Sequence, residues 1–158
     1  EMTGASQSYQ QESEALTGGK ADGVALAEKF IEKNANNYGV LAALQLAQHE
    51  VDQKDFAKAE HQLAWAQGQA KDENLKSLID LRLARVQLQE NKLDDALKTL
   101  DLVKATGWVA MAQDVRGDVL VKKGDVKGAR EAYSKGLASD ASQSLQALLR
   151  MKLNNLSN

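Results

Sequence analysis

Residues 116–140, RGDVLVKKGDVKGAREAYSKGLASD, contain a spacing of side chains that recurs along the chain. A small residue, Gly117, is followed twelve positions later by Ala129 and four positions after that by Tyr133. The clear copies begin 37 and then 33 residues apart, a period typical of stacked pairs of short helices. The same offsets occur in three further places, the first of them weaker: Ala15/Ala27/Ile31, Ala47/Ala59/Leu63 and Ala84/Ala96/Leu100.

The composition favours helices along the whole chain. Of the 158 residues, 43% are hydrophobic and 27% are charged, and proline, which interrupts helices, is absent. We therefore predict an all-α solenoid of helical hairpins, built as one domain over residues 1–158 and closed by a C-terminal capping helix. The predicted parts are a degenerate repeat at 1–36, repeats at about 40–69, 73–106 and 108–139, and a capping helix at about 142–156.

Local signals predict where the helices begin and end. Gly18 and Gly19 should stop the first helix, and Asp22 should cap the second. Asp72 is a second expected N-cap, and Gly124 can adopt the left-handed conformation that closes a helix. The remaining expectations are a polar loop at 34–39, a helix from Leu93 to about Gly107, and a last helix that starts at 140–142.

The charge and the reactive residues exclude several classes of function. The net charge is −2, with no basic run that would bind nucleic acid. Cysteine is absent, and the two histidines, His49 and His61, lack the spacing of a metal site. No phosphate-binding loop or nucleophile motif occurs. We therefore expect no enzyme activity and no cofactor, and a surface that binds other proteins.

The offsets in 116–140 resemble the tetratricopeptide repeat, although its tryptophan and proline are missing. The resemblance implies that the first helix of each pair lines a concave, partner-binding face. The lysine and asparagine with which some such domains bind a C-terminal carboxylate are absent from the matching positions. The side chains projected onto the face are Leu41, Leu44, Gln48, Val51, Leu78, Leu81, Arg85, Leu88, Met111, Asp114, Asp118 and Val121.

The concave face has an alternative explanation in the packing of the domain itself. The N-terminal or the final helix could cover the leucines and make them part of the core. Arg85, Asp114 and Asp118 could pair with one another instead of with a partner, because unpaired charges are rarely buried. The tryptophans Trp65 and Trp108 suit either packing or an interface.

A closer resemblance covers nearly the whole chain. The segments YGVLAALQLAQ, DENLKSLIDLRLARVQ, GWVA, RGDVLVKKGD and MKLNNL are similar to the periplasmic domain of the YfgM family. That family implies an ancillary role at the bacterial SecYEG translocon, partnership with PpiD, a periplasmic chaperone of the parvulin type, and contact with secreted clients. It also implies a single-pass anchor in the inner membrane, which agrees with a sequence in which Glu1 precedes Met2. The alternative is a soluble cytosolic adaptor that binds a peptide or an amphipathic helix.

Overall fold

The computed structural model describes residues 4–17, 23–34 and 36–156, and these residues form nine α-helices and one short 3₁₀ turn at Thr106–Trp108. The described ranges contain no β-strand, so the predicted all-α class is confirmed. The helices are α1 Gly4–Thr17, α2 Gly23–Lys33, α3 Asn37–Asp52, α4 Phe56–Gln69, α5 Glu73–Gln89, α6 Leu93–Leu100, α7 Val109–Lys123, α8 Val126–Ala138 and α9 Gln143–Asn155.

Side-chain caps fix the starts of several helices. Asp72 accepts the backbone N–H of Leu75 at 2.9 Å, which is the N-cap predicted for α5. Gly124 ends α7 with φ of 84°, in the left-handed region that favours glycine. A capping side chain contributes about 1 kcal/mol to helix stability. The other caps are Asn36 on α3, Asp55 on α4, Asp125 on α8 and Ser142 on α9.

Two predicted helix boundaries differ from the structure. The residues predicted to end the first helix and to cap the second lie outside the described residues. Helix α6 ends at Leu100 and not near Gly107. The chain tightens into 3₁₀-type bonding after α6, because the N–H groups of Leu102 and Val103 bond to carbonyl groups three residues back. Helix α3 begins at Asn37, inside the expected loop, because Asn36 caps it. Gly18, Gly19 and Asp22 lie outside the described residues.

The chain divides into two compact units, residues 1–71 and residues 72–158, called unit 1 and unit 2 below. In unit 1, α3 packs against α1, α2 and α4. In unit 2, α7 packs against α5, α6, α8 and α9. The central helix of unit 1 carries all four of its predicted concave-face residues, whereas in unit 2 α7 carries four and α5 carries the other four. That residues 1–158 form one domain stays a prediction.

The recurring triplets lie where neighbouring helices approach each other. Ala59, Ala96 and Ala129 are fully buried, as the spacing predicts. Gly117 has no room for a side chain, since a Cβ atom there would lie 2.2 Å from the ring of Tyr133. The weak copy differs at its third position, because Ile31 is only half-buried. The residues at the matching third positions, Leu63, Leu100 and Tyr133, are buried.

Candidate protein-interaction surface

Unit 2 contains a shallow groove along α7 and its neighbours. The groove has a volume of about 400 Å³. Three of the predicted concave-face residues line it: Leu88 from α5, and Asp118 and Val121 from α7. Val121 is 44% exposed and gives the groove an apolar side chain that is open to solvent. The remaining lining residues are Gln89, Lys122 and Tyr133.

A buried carboxylate, Asp114, lies on α7 one turn before this groove. Its side chain is 2% exposed and accepts a hydrogen bond from the Lys152 ammonium group at 2.7 Å. The Arg85 guanidinium group lies 3.7 Å from the other carboxylate oxygen. Arg85 and Asp114 thus form the internal ion pair that the sequence left open as an alternative to partner contact. A buried carboxylate with cations at these distances has its charge compensated within the unit.

Asp118 completes a network that joins three helices. It accepts hydrogen bonds from the Tyr133 hydroxyl at 2.6 Å and from Lys152 at 3.0 Å. Burial and then the hydrogen bond to Asp118 raise the pKa of Tyr133. Burial disfavours the charge on Lys152, but its hydrogen bonds to Asp114 and Asp118 outweigh that effect, so the pKa of Lys152 is raised. The network therefore holds Lys152 in its charged form and attaches α9 to α7 and α8.

The other predicted residues of unit 2 differ in how accessible they are. Leu81 is 7% exposed and belongs to the hydrophobic core around Val115 and Val119. Leu78 and Leu88 are half-buried, and Leu88 packs against that core. The residues open to solvent are Arg85, Met111 and Val121.

In unit 1, two of the four predicted residues are accessible. Leu41 is 38% exposed. Gln48 is also exposed, and its side-chain amide donates a hydrogen bond to Asp52 at 3.0 Å. Val51 is half-buried, and Leu44 is part of the core at 5% exposure. The surface that α3 offers to a partner is therefore small and mixed in character.

The sequence reasoning missed the residues that organise the groove of unit 2. Lys152 is separated by 38 residues from Asp114, and no pattern in the sequence links them. The recurring spacing identifies Tyr133 only as a repeat position and does not predict that its hydroxyl group reaches Asp118. The segment around Lys152, LLRMKLNNL, also contains an arginine and two asparagines, so the local sequence gives no signal of a buried acidic partner.

The described residues also bear on metal binding and on membrane insertion. Across the described residues, no group of three or more His, Cys, Asp or Glu side chains is placed to hold a metal ion. In the same part of the chain, no helix has both the length and the apolar character needed to cross a membrane.

Comparison with known proteins identifies relatives over most of the chain. A family model described as a tetratricopeptide repeat-like domain matches residues 1–158. The ancillary SecYEG translocon subunit of Escherichia coli strain K12 is 48% identical over 153 residues, which are 97% of this chain and 74% of that protein. The protein of the same name from Haemophilus influenzae is 39% identical over 130 residues, which are 82% of this chain and 63% of that protein.

Solved structures of low sequence identity share the fold. A Podosopora anserina kinesin light chain with nearly identical TPR-like repeats matches 97% of this chain and 86% of its own, with a TM-score of 0.71 at 14% identity. The MamA RS-1 ArsTM double mutant matches 99% of this chain and 96% of its own, with a TM-score of 0.68 at 14% identity. The predicted tetratricopeptide-like fold is confirmed. The chain therefore belongs to the tetratricopeptide repeat-like family and, within it, to the ancillary SecYEG translocon subunits of the YfgM type.

Proposed function

We propose that this chain is a non-enzymatic scaffold that binds other proteins at the SecYEG translocon. In this proposal the domain lies in the periplasm, attached to the inner membrane by an anchor elsewhere in the protein. It links the translocon with a periplasmic chaperone of the PpiD type and takes part in handling newly secreted proteins. The observation that carries the proposal is the 48% identity, over 97% of the chain, to a protein named as an ancillary translocon subunit.

The geometry supports a binding role for the surfaces of the first helices. Leu41, Met111 and Val121 are large apolar side chains that are 38 to 44% exposed. Exposed apolar side chains next to polar ones, such as Gln48 and Arg85, suit a protein contact. A helix or an extended segment of a partner would bury them.

Within the predicted face, two acidic residues have a different role. Asp114 and Asp118 are held by Lys152, and Asp114 also lies near Arg85. Their charges are compensated inside unit 2, so we assign them to positioning α7 and α9. We assign partner contact to the exposed residues Leu41, Gln48, Arg85, Met111 and Val121, and to the half-buried Leu88, which lines the groove of unit 2.

Site-specific crosslinking in the intact membrane tests both the partner and the face. A photoreactive amino acid is placed at Val121 of the full-length protein, and a matched control is placed at the exposed Glu131 on α8. We expect crosslinks from position 121 to a translocon subunit or to a periplasmic chaperone, and none from position 131. Recovery of neither class of protein, by crosslinking or by co-purification from solubilised inner membranes, would overturn the proposal.

A further inference from the structure

Unit 1 contains a second groove, between the second helices of its two pairs. It has a volume of about 570 Å³, which falls within the range of ligand-binding clefts. Helix α2 forms one wall and α4 forms the other, and no predicted concave-face residue lines it. The lining residues are Ala25, Glu28, Lys29, Ile31, Glu32, His61, Gln62 and Trp65.

The groove combines an aromatic side chain with acidic ones. Trp65 and Ile31 are half-buried and give it an apolar part. Glu28 and Glu32 are exposed on α2 one turn apart and outnumber the single Lys29. Two carboxylates beside an indole ring are complementary to a cation, because the face of the ring attracts positive charge and the carboxylates pair with it.

A further carboxylate, Glu50, lies behind the wall of this groove. Glu50 is 6% exposed, and its side chain is hydrogen-bonded by Gln62, a lining residue. Among the described residues, its Oε1 atom has no hydrogen-bond partner. The charged groups near Glu50 are Asp55, Lys58 and Glu28. Lys58 lowers the pKa of Glu50, but its side chain is largely exposed and also lies 3.6 Å from Asp55.

The position of Glu50 has a clear electrostatic consequence. Burial, followed by the nearby negative charge of Asp55, raises the pKa of Glu50 to about 7. Burial therefore disfavours the carboxylate form of Glu50, and the nearby Lys58 does not offset that effect. A cation that entered the groove would supply further positive charge from outside.

We infer that the α2–α4 groove binds an arginine side chain presented by a segment of a partner protein. The planar guanidinium group stacks on Trp65 and pairs with Glu28 and Glu32. Glu50 adds negative charge from behind the wall of the groove. Arginine suits the site better than lysine, since it stacks on an aromatic ring and pairs with two carboxylates at once.

This inference concerns a different surface from the proposed translocon contact and does not depend on it. A chain that failed to bind the translocon could still bind arginine in unit 1, and the reverse also holds. The two proposals are therefore tested by separate measurements on separate residues.

Peptide binding to the domain tests the inference with a defined probe. The probe is a capped twelve-residue peptide of alanine and leucine with three arginines, and its control carries three citrullines, which have the same shape without the charge. We expect the arginine peptide to bind at least tenfold more tightly by calorimetry. We also expect it to shift the NMR signals of the Trp65 indole N–H and the Gln62 side-chain amide.

Two double variants with equal charge change separate this site from general attraction. Glu28→Gln/Glu32→Gln should weaken binding of the arginine peptide about tenfold. The control Glu131→Gln/Asp140→Asn, at exposed positions of unit 2, should leave it unchanged. Equal binding of the two peptides, equal weakening by the two double variants, or NMR shifts that fall away from Trp65 would each overturn the inference. Circular dichroism spectra of each variant confirm that it remains folded.

Discussion

The two units of the chain bury carboxylates in opposite ways. In unit 2, Asp114 is 2% exposed and has Lys152 at 2.7 Å and Arg85 at 3.7 Å. In unit 1, Glu50 is 6% exposed, and one of its oxygens has no hydrogen-bond partner among the described residues. Burial also raises the pKa of Glu12, on α1, to about 7.

The difference separates a charge that stabilises structure from one that remains available for binding. A paired buried carboxylate fixes the helices that carry its partners, as Asp114 does for α7 and α9. A buried carboxylate without a cation costs stability unless it is protonated or a cation is brought to it. We therefore regard Asp114 in unit 2 as compensated by its own cations, and Glu50 in unit 1 as not fully compensated until a further positive group binds.

Removing the Lys152 ammonium group from unit 2 should have the largest effect on stability. Lys152→Met leaves Asp114 buried with only the more distant Arg85, and we expect a loss of about 3 kcal/mol in the free energy of unfolding of unit 2. Urea unfolding monitored by Trp108 fluorescence in a Trp65→Phe background measures it. Lys123→Met, which removes an exposed lysine that pairs with Asp94, is the control and should leave the transition unchanged. Equal transitions in the two variants would contradict the central role of Lys152.

The pH dependence of unit 1 should be the next largest effect. Glu12 and Glu50 have folded-state pKa values of about 7, above the ordinary 4.5, so the folded chain holds protons that the unfolded chain has released. The free energy of unfolding of unit 1 should therefore fall, by about 2 kcal/mol in total, as the pH rises from 5 to 8. Trp65 fluorescence in a Trp108→Phe background follows it. A stability that rises over this range would refute the assignment.

Neutralising one of these carboxylates should have a smaller effect on stability. It should raise the free energy of unfolding of unit 1, whereas a typical core mutation lowers it. Glu50→Gln removes the buried charge and keeps the shape, so we expect unit 1 to gain about 1 kcal/mol at pH 8 and little at pH 5. The same urea experiment at the two pH values measures the change. The control is Glu14→Gln on the exposed side of α1, for which we expect no such pH-dependent gain.

Replacing the second cation of unit 2 should have the smallest effect. The Arg85 side chain is 51% exposed and lies farther from Asp114 than Lys152 does. We expect Arg85→Gln to cost about 0.5 kcal/mol, as is usual for an exposed ion pair. A loss as large as that of Lys152→Met, measured in the same way, would mean that both cations are needed for Asp114.

Much of the fold could be predicted from local sequence, because caps and helix-pair contacts depend on nearby residues. Asp72, Gly124 and Ser142 act at the helix ends where their chemistry predicts them. The end of α6 was predicted wrongly, since a competing 3₁₀ arrangement of a few hydrogen bonds decides it. The apolar pattern also gave the burial of Ala59 and Ala96, because small residues are needed where helices approach closely.

The sites were less predictable, because they depend on contacts between distant residues. Projection of the first helices selected Leu88 and Val121, which line the groove of unit 2. It could not reveal Lys152, which reaches Asp114 from a different helix. The α2–α4 groove escapes prediction because the repeat resemblance places partner contacts on the first helix of each pair, and Glu50 reads in sequence as an ordinary surface glutamate.

The pKa of Glu50 is the most direct test of the contrast between the two units. NMR titration of the side-chain carboxyl carbon, assigned with Glu50→Gln, measures it in the intact chain. We predict a midpoint of about 7 for the free chain and a lower midpoint when the arginine peptide is bound. A midpoint near the ordinary 4.5 in the free chain, unchanged by the peptide, would contradict the claim that the charge of Glu50 is not fully compensated within unit 1.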